Sequence, residues 1–579
     1  MKIAKIYIRR FRSFEKSEFT LGDVCAIVGK NNSGKSSILR ALNVFFNFEE
    51  EKDNLINGNH SYTPTSNSII EVVFTDIPNS QIYKNYSILD SFKVRFRYNP
   101  NNKKAEYKWA TTGTRLAALQ EDLRARIFSD ISFVLIPASR DAEKMEAKEN
   151  SLLRRVIEKE FRKRTKNRDR VSPSVRASAK ELAEKHFPSI TKKLERYYCL
   201  EHSYELTLDY VKTLDYSMLL FDLGLKIVDH SNSFNVSDCG TGIKSMLVIA
   251  LYRYLASTEK KNVILGIEEP ESNLHPQAQR EFVSQLRDIR NHDSEAQIIF
   301  TSHSPTIIDE LRHEDLVLVR KAADKKRGFK SVTSKLEEEF YANHDIKAEK
   351  YEKFHRYRNS EFFFSDLVII AESESDADVL KDFVSNQPTI RTYLNRISFV
   401  DLRGVGNLKY VLYLLAALHL QYIVVVDKDF FLPYVNDELE NSLGSDGLPR
   451  FKKEFKQERL DLIQQIITKE PERKKIEHML ISNHTQALKI LAKYSTVCMN
   501  YALEKDLLNV KKIRQNMCSI LSISSSDCTT NYLMTEKKKE IKKTDNLIPS
   551  IQNVSSYPRS FVALRNLIEE KFKKLSESF

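Results

Sequence analysis

The stretch Gly29-Lys30-Asn31-Asn32-Ser33-Gly34-Lys35-Ser36 decides how this chain is read. Before it, residues 24–28 form an apolar run of the length and composition of a buried strand. After it, Ile38, Leu39, Leu42, Phe45 and Phe46 recur at helical spacing. The loop between them matches G-x-x-x-x-G-K-S in full, in the strand–loop–helix context that pattern requires. The residue types follow from the task. Gly29 and Gly34 let backbone N–H groups close around phosphate oxygens, and the helix starting near Lys35 directs its positive end at them. Lys35 neutralises the outer phosphates, the Ser36 hydroxyl is a ligand for Mg²⁺, and Asn32 and Ser37 belong to the same nucleotide cradle.

Two later stretches extend the logic. Residues 263–267 (Val-Ile-Leu-Gly-Ile) read as a strand running into Glu268, Glu269 and Glu271. At a strand's carboxyl end, Glu268 can join the Mg²⁺ shell while Glu269 polarises an attacking water; the alternative is a helix start whose dipole these acids offset. Residues 297–301 are a second such strand, separated from the first by a helix over 276–290 and followed by Ser302-His303-Ser304, where His303 can sense a γ-phosphate. Between loop and acids, Gly240-Thr241-Gly242 opens a small-residue turn leading into a helix over 246–255. Gly240 and Gly242 thereby suit a second phosphate-contacting helix N-terminus, offered to a neighbouring molecule's nucleotide.

The chain of 579 residues has room for two to four domains at about 100–200 residues each. Its 41% hydrophobic content excludes wholesale disorder, and the low Gly (14) and Pro (15) exclude collagen-like classes. No apolar run reaches the ~20 residues of a membrane span. The start of the chain alternates like a strand and lacks a signal peptide's apolar segment, so a cytoplasmic protein without membrane contact is expected. The six cysteines are scattered without a C-x-x-C pair, so reduced thiols are the default. The net charge of +12 is concentrated. Between Arg154 and Lys180 there are eleven Lys/Arg against Glu158, Glu160 and Asp169, and a second cluster comprises Lys537, Lys538, Lys539, Lys542 and Lys543. Either can grip nucleic-acid phosphates or be a solvated helix face.

Taken together, GKNNSGKSS, the GTGIKS turn, GIEEPESNLHP and TSHSP resemble the ABC-type ATPase heads of the Rad50/RecF/SMC kind over roughly residues 1–320. The resemblance implies ATP and Mg²⁺ as cofactors and a homodimer through the heads. Glu268 stands where that family commonly has Asp. The boundaries expected are head lobes over 1–140 and 201–330, with a basic helical insert over 141–200 acting as an arm or dimerisation element, and then a linker over 331–360.

In the second half, residues 363–371 read as a buried strand ending in Glu372, with Glu374, Asp376 and Asp378 just after. A strand over 396–402, a helix over 408–420 and a strand over 422–426 follow, the last ending in Asp427-Lys428-Asp429. This alternation argues for a parallel α/β sheet. D-x-D at a strand terminus aims two carboxylates to one side, suited to Mg²⁺ or Mn²⁺, and with Glu372 they can hold ions for in-line phosphodiester attack. Glu504 and Asp506 are candidates for a second ion, as is Asp376. The alternative is that these acids cap strands and helices.

This half, 361–579, looks like a TOPRIM domain with helical additions, although Ser373 stands where that family has Gly. Head and TOPRIM on one chain resemble the OLD (overcoming lysogenization defect) family, and Leu503-Glu504-Lys505-Asp506-Leu507 fits that family's late acidic segment. The resemblance implies an ATP-regulated, Mg²⁺-dependent DNA endonuclease of anti-phage defence, with Glu269 and His303 acting at one site and Glu372, Asp427 and Asp429 at the other. Two other readings stand beside it. One is an ATP-dependent clamp or sensor with a degenerate second site. The other is a nuclease subunit controlled by a helicase or by a retron reverse transcriptase with its RNA–DNA hybrid; in any of these readings the head dimer leaves a higher oligomer open.

Overall fold

The computed structural model describes residues 1–111, 113–138, 181, 184–197, 204–210, 223–230, 232–258, 262–292, 296–325, 327–356 and 360–577. They divide into two units: Met1–Glu338 with Arg356–Ser360, and Glu339–His355 with Glu361–Phe579. No helix among the described residues is long and apolar enough to cross a membrane.

The first unit opens with β1 (Lys2–Phe11), β2 (Phe14–Thr20) and β3 (Val24–Val28). After the helix Lys35–Phe46 come β4 (Ser68–Thr75), β5 (Phe92–Asn99), β6 (Lys104–Thr111), β7 (Ala117–Ala118) and β8 (Ile131–Ile136). Next are β9 (Tyr204–Tyr210), β10 (Leu223–Asp229), β11 (Asn232–Asn235), β12 (Asn262–Glu268), β13 (Ala296–Ser302), β14 (Leu316–Asp324) and β15 (Gly328–Ser334). They build an antiparallel sheet β2-β1-β4-β5-β6-β7, a small antiparallel sheet β11-β10-β9, and the sheet β15-β14-β3-β13-β12-β8. The last is parallel from β14 to β8, with β15 antiparallel at its edge. Pattern explains placement. β4 and β5 alternate buried and half-buried side chains, as one-face-buried strands do, whereas β3 is buried throughout. The helix Lys35–Phe46 places Ile38, Leu39, Leu42 and Phe45 in one core with both sheets.

The second unit carries β16 (Leu367–Ala371), β17 (Ile397–Asp401), β18 (Tyr422–Val426) and β19 (Thr496–Cys498), parallel in the order β17-β16-β18-β19. The helix Glu374–Asn386 and the carboxy-terminal helix Arg559–Glu577 share its core through Leu380, Phe383, Phe561 and Leu564. The strand expected over 363–371 begins only at Leu367, because Ser360–Phe364 forms a 3₁₀ turn. The helix expected over 408–420 stops at Ala417; His419 takes φ 54° and turns the chain into β18.

Two expectations about organisation change, and a third falls largely outside the described residues. The stretch 331–360 is not a plain connector: it contains the end of β15 and the helices Phe340–Asn343 and Ala348–His355. Its polarity misleads because the hydroxyls of Ser331 and Ser334 in β15 are buried, Ser331 being hydrogen-bonded to Ser13 and Ser33. The insert over 141–200 lies mostly outside the described residues, and so does the basic run 154–180. In its described tail, Phe187, Ile190 and Leu194 of the helix Pro188–Glu195 and its approach pack with Leu206, Leu225 and Leu251. The helix expected over 246–255 spans Thr241–Thr258, starting directly after Gly240.

Candidate nucleotide site and metal centre

In the central sheet, β3, β13 and β12 are consecutive neighbours. The loop 29–36 therefore leaves one strand end, His303 follows the next, and Glu268 ends the third. The sheet supplies this juxtaposition, at the carboxyl edge where such sheets bind ligands. Gly34 takes φ 110°, and a Cβ there would lie 2.4 Å from Ser331 Oγ, so the position tolerates only glycine. Lys35 Nζ donates to the carbonyls of Gly29 (2.9 Å) and Lys30 (3.1 Å). Burial pushes its ammonium pKa down, opposed by Glu269 and Glu271. Ser33 Oγ is buried inside the loop and makes no hydrogen bond, and the loop's N–H groups and Ser36 stand at the helix start; these donors fit a polyphosphate. Asn32 takes φ 59° in the loop turn, while Ser37 is buried in the first helical turn.

Glu268 is buried, with one oxygen 3.3 Å from the Ala138 N–H and the other 3.8 Å from Arg40 Nε. Glu269 adopts φ 44°, a costly conformation for a side-chain-bearing residue, and its N–H donates to Thr301 O and Oγ1. His303 Nδ1 lies 3.9 Å from Glu269 and 3.3 Å from Glu271. Glu271 is the residue that sequence reasoning left without a role. Its buried Oε1 accepts from Ser302 Oγ (2.9 Å) and the His303 N–H (2.7 Å), which fixes the histidine beside Glu269. Burial raises the Glu271 pKa, and these donors pull it back.

Arg40 was also missed. It sits one turn after Ser36, on the same helix face, a spacing that would have revealed it. Its Nη1 is 3.0 Å from Glu51 Oε1. Burial alone would raise the Glu51 carboxyl, but His60, Asn43, Asn54 and Arg40 all donate to it and hold it far below the usual range. Gly240 sits immediately before the helix Thr241–Thr258. Gly242, in its first turn, has a packing reason: a Cβ would stand 2.7 Å from the Asn273 carbonyl.

In the second unit, Glu372 and Asp427 follow neighbouring parallel strands, so their side chains leave the same sheet edge. One oxygen from each of Glu372, Asp427 and Asp429 lies within 4.8 Å of the other two. Glu372 Oε1 accepts the Asp427 N–H (2.9 Å), and Asp427 Oδ1 accepts the Leu503 N–H (3.0 Å). Burial, and then the charges of Asp429 and Asp376, push Glu372 up to about 7. Burial and then Glu372 raise Asp427 as well. Three half-buried carboxyl groups with oxygen ligands this close suit a hard divalent cation, which would discharge their mutual repulsion.

The other expected ligands are engaged elsewhere. Asp376 forms a capping box at the helix Glu374–Asn386, its Oδ2 accepting from Ser373 N (3.2 Å) and Oγ (2.8 Å). Ser373 itself takes φ −135°, which any residue adopts, so its backbone conformation does not require glycine. Asp506 accepts from Asn500 N (2.7 Å), Tyr501 N (2.9 Å) and Ser560 Oγ (2.9 Å), so both its oxygens hold a loop together. Glu504 lies 3.4 Å from Lys542 Nζ. Lys538 and Lys543 of the second basic cluster pair with Glu440 and Glu540. A further cation, Arg459, approaches the acids from a segment that sequence reasoning passed over.

The family model described as AAA ATPase domain matches residues 1–308. The chain belongs to that family. A second model, the TOPRIM domain of overcoming lysogenization defect-like proteins, matches residues 363–429 and so takes in Glu372, Asp427 and Asp429. Distant OLD-family relatives match, two of them over about three quarters of the chain. The OLD nuclease of Thermus scotoductus is 24% identical over 474 residues, covering 74% of this chain and 82% of its own. The Old nuclease of Escherichia phage P2 is 22% identical over 502 residues, covering 77% and 80%. Endonuclease GajA of Bacillus cereus is 24% identical over 277 residues, 44% of this chain and 40% of that one. Among solved structures, an SMC head bound to the C-winged helix domain of ScpA aligns with a TM-score of 0.41 at 12% identity, over 58% of this chain and 98% of that one. The chain is thus an α/β AAA ATPase head followed by an OLD-like TOPRIM domain with helical extensions, and these domains imply use of ATP and a divalent metal.

Proposed function

We propose that this chain is an ATP-regulated, Mg²⁺-dependent DNA endonuclease, acting as an effector of anti-phage defence. The observation that carries the reading is the convergence of Glu372, Asp427 and Asp429 at adjacent strand ends, inside the segment that matches an OLD-like TOPRIM domain. Glu372, Asp427 and Asp429 would hold Mg²⁺ or Mn²⁺; when bound, the ion activates water and offsets charge on the phosphate. In the head, the loop N–H groups and Lys35 bind ATP phosphates, Ser36 and Glu268 would hold its Mg²⁺, and Glu269 orients water beside His303. Glu504 and Asp376, whose charges help raise Asp427, would have to leave Lys542 and the Ser373 capping box to serve as ligands for a second ion. Two heads joined through each other's nucleotide, with Gly240 at the contributed helix start, give the homodimer. DNA phosphates are held by lysines such as Lys537 and Lys539, with affinity that falls steeply with salt.

The test is plasmid cleavage with Mg²⁺ or Mn²⁺, with and without ATP, for wild type, Glu372→Ala and Lys35→Ala. Cleavage that disappears in Glu372→Ala and responds to ATP only when Lys35 is present is expected. Cleavage that survives in Glu372→Ala overturns the assignment of the centre.

A further inference from the structure

After Asp429 the chain leaves the sheet on a closed excursion. Val435 N donates to Arg450 O (3.1 Å), Lys452 N to Pro433 O (2.9 Å) and Lys456 N to Phe431 O (2.8 Å), so outgoing and returning limbs are fastened together at the base. Tyr434 stacks on Phe451 across the same base, ring centroids 5.2 Å apart. Three residues beyond the last fastening, Arg459 Nη1 donates to the backbone carbonyl of Asp429 at 3.2 Å, and its guanidinium lies 5.6 Å from the Phe430 ring. The excursion therefore returns a cation to the residue at which it departed.

We infer that Arg459 is a phosphate-contacting residue of the acidic centre, binding the nucleic-acid phosphodiester that Glu372, Asp427 and Asp429 receive. This rests on the nuclease reading above. The guanidinium spends one N–H on Asp429 O, and its Nε faces only the exposed Glu458 at 3.9 Å. Its remaining donors bond no described residue. A guanidinium is always protonated and its donors form a planar fork matched to two phosphate oxygens, so an arginine here acts as a fixed positive charge. Its hydrogen bond to Asp429 O holds it at the residue whose carboxyl closes the acidic cluster. Tyr434, delivered by the same excursion, has its phenol kept protonated by burial and by the charges of Asp429 and Asp427, leaving an O–H donor in the same surroundings.

The need for such a cation is electrostatic. In hydrolysis, the water oxygen forms a bond to phosphorus and the bond to the leaving sugar oxygen breaks. One water proton ends on that oxygen, the other on the phosphate product or solvent. Arg459 transfers no proton; it donates hydrogen bonds to the non-bridging oxygens on which charge gathers.

The experiment compares wild type with Arg459→Ala, Arg459→Lys and Arg459→Gln in the full chain. Three quantities are read: the single-turnover cleavage rate at saturating DNA with Mn²⁺, Mn²⁺ affinity by electron paramagnetic resonance titration, and the affinity of a short labelled duplex in Ca²⁺. Arg459→Gln removes the charge but keeps a polar amide and most of the stem's packing, so it reports even if the alanine variant does not fold. Expected are a rate loss of about 10²-fold in Arg459→Gln, partial recovery in Arg459→Lys, and Mn²⁺ affinity within about twofold of wild type. An unchanged rate, or Mn²⁺ affinity falling in step with the rate, overturns the inference. If wild type itself cuts nothing, the nuclease reading fails, and duplex binding then decides: weakening in Arg459→Gln supports phosphate contact, and unaltered binding overturns it.

Discussion

Ser331 Oγ on β15 lies 2.5 Å from the carbonyl of Ser33 in the phosphate loop, and 2.7 Å from Ser13 Oγ. The Ser331 N–H also donates to Ser13 O at 2.8 Å. One hydroxyl thus ties the loop to a strand almost three hundred residues later. Ser331→Ala removes that tie without disturbing the backbone pairing of β15. ATP binding, measured by calorimetry, is expected to weaken a few-fold to about tenfold, the worth of one hydrogen bond, while Tm moves little.

Glu271 fixes His303 through both its backbone N–H and its ring, so Glu271→Gln should leave ATP affinity close to wild type and slow turnover. A misaligned catalytic group costs up to about 10²-fold in rate. Steady-state ATPase assays that return an unaltered kcat would show that His303 needs no such anchor.

Much of the nucleotide site is legible in sequence because Gly29–Ser36 is one contiguous stretch whose geometry is local. The order of strand, acids and histidine likewise reads directly, since buried parallel strands are continuous apolar runs. What sequence conceals is the tertiary part. Ser331 looks like a polar connector residue, because nothing local shows that its hydroxyl is buried against Ser13 and Ser33. Asp506 looks like a ligand beside Glu504, yet on a helix those side chains point to different sides, and Asp506 turns inward to Ser560. Arg459 is invisible because only the closed excursion brings it back to Asp429.

Asp506 and Glu372 should respond oppositely to substitution. Asp506→Ala strands three donors, the Ser560 hydroxyl fully buried and the Asn500 and Tyr501 N–H groups partly so, and is expected to destabilise the second unit by about 2–4 kcal/mol in denaturant melts. Glu372 has its pKa raised to about 7 against 4.5 unfolded, so it costs stability as pH rises through that window. Glu372→Gln keeps an acceptor for the Asp427 N–H and should raise metal-free stability at pH 8 by about 1 kcal/mol, while abolishing Mn²⁺ binding.

His484 supplies the pH dependence. Its Nε2 lies 3.0 Å from the Cys498 carbonyl, and burial, with Lys428 nearby, lowers its pKa from 6.5 to about 4. The unfolded chain binds the proton first, so stability is full above pH 6.5 and is lost as pH falls toward 4, by up to about 2–3 kcal/mol. Asp506, pushed up to about 6 by burial, works with the opposite sign between 3.8 and 6. The measurement is therefore the difference between wild type and His484→Gln in unfolding free energy at pH 7.5 and 5, expected to shrink at the lower pH.

The support that β15 gives the loop also sets where this protein can be cut. The AAA family match ends at residue 308, but the folded unit runs to Glu338 and recovers Arg356–Ser360, where Ser360 N donates to Asp309 Oδ1 at 3.1 Å. A fragment ended at residue 308 would keep the loop 29–36 and discard the strand that props it. Fragments of the first unit should accordingly be ended beyond residue 360, so that a loss of nucleotide affinity on trimming is not mistaken for a property of the whole chain.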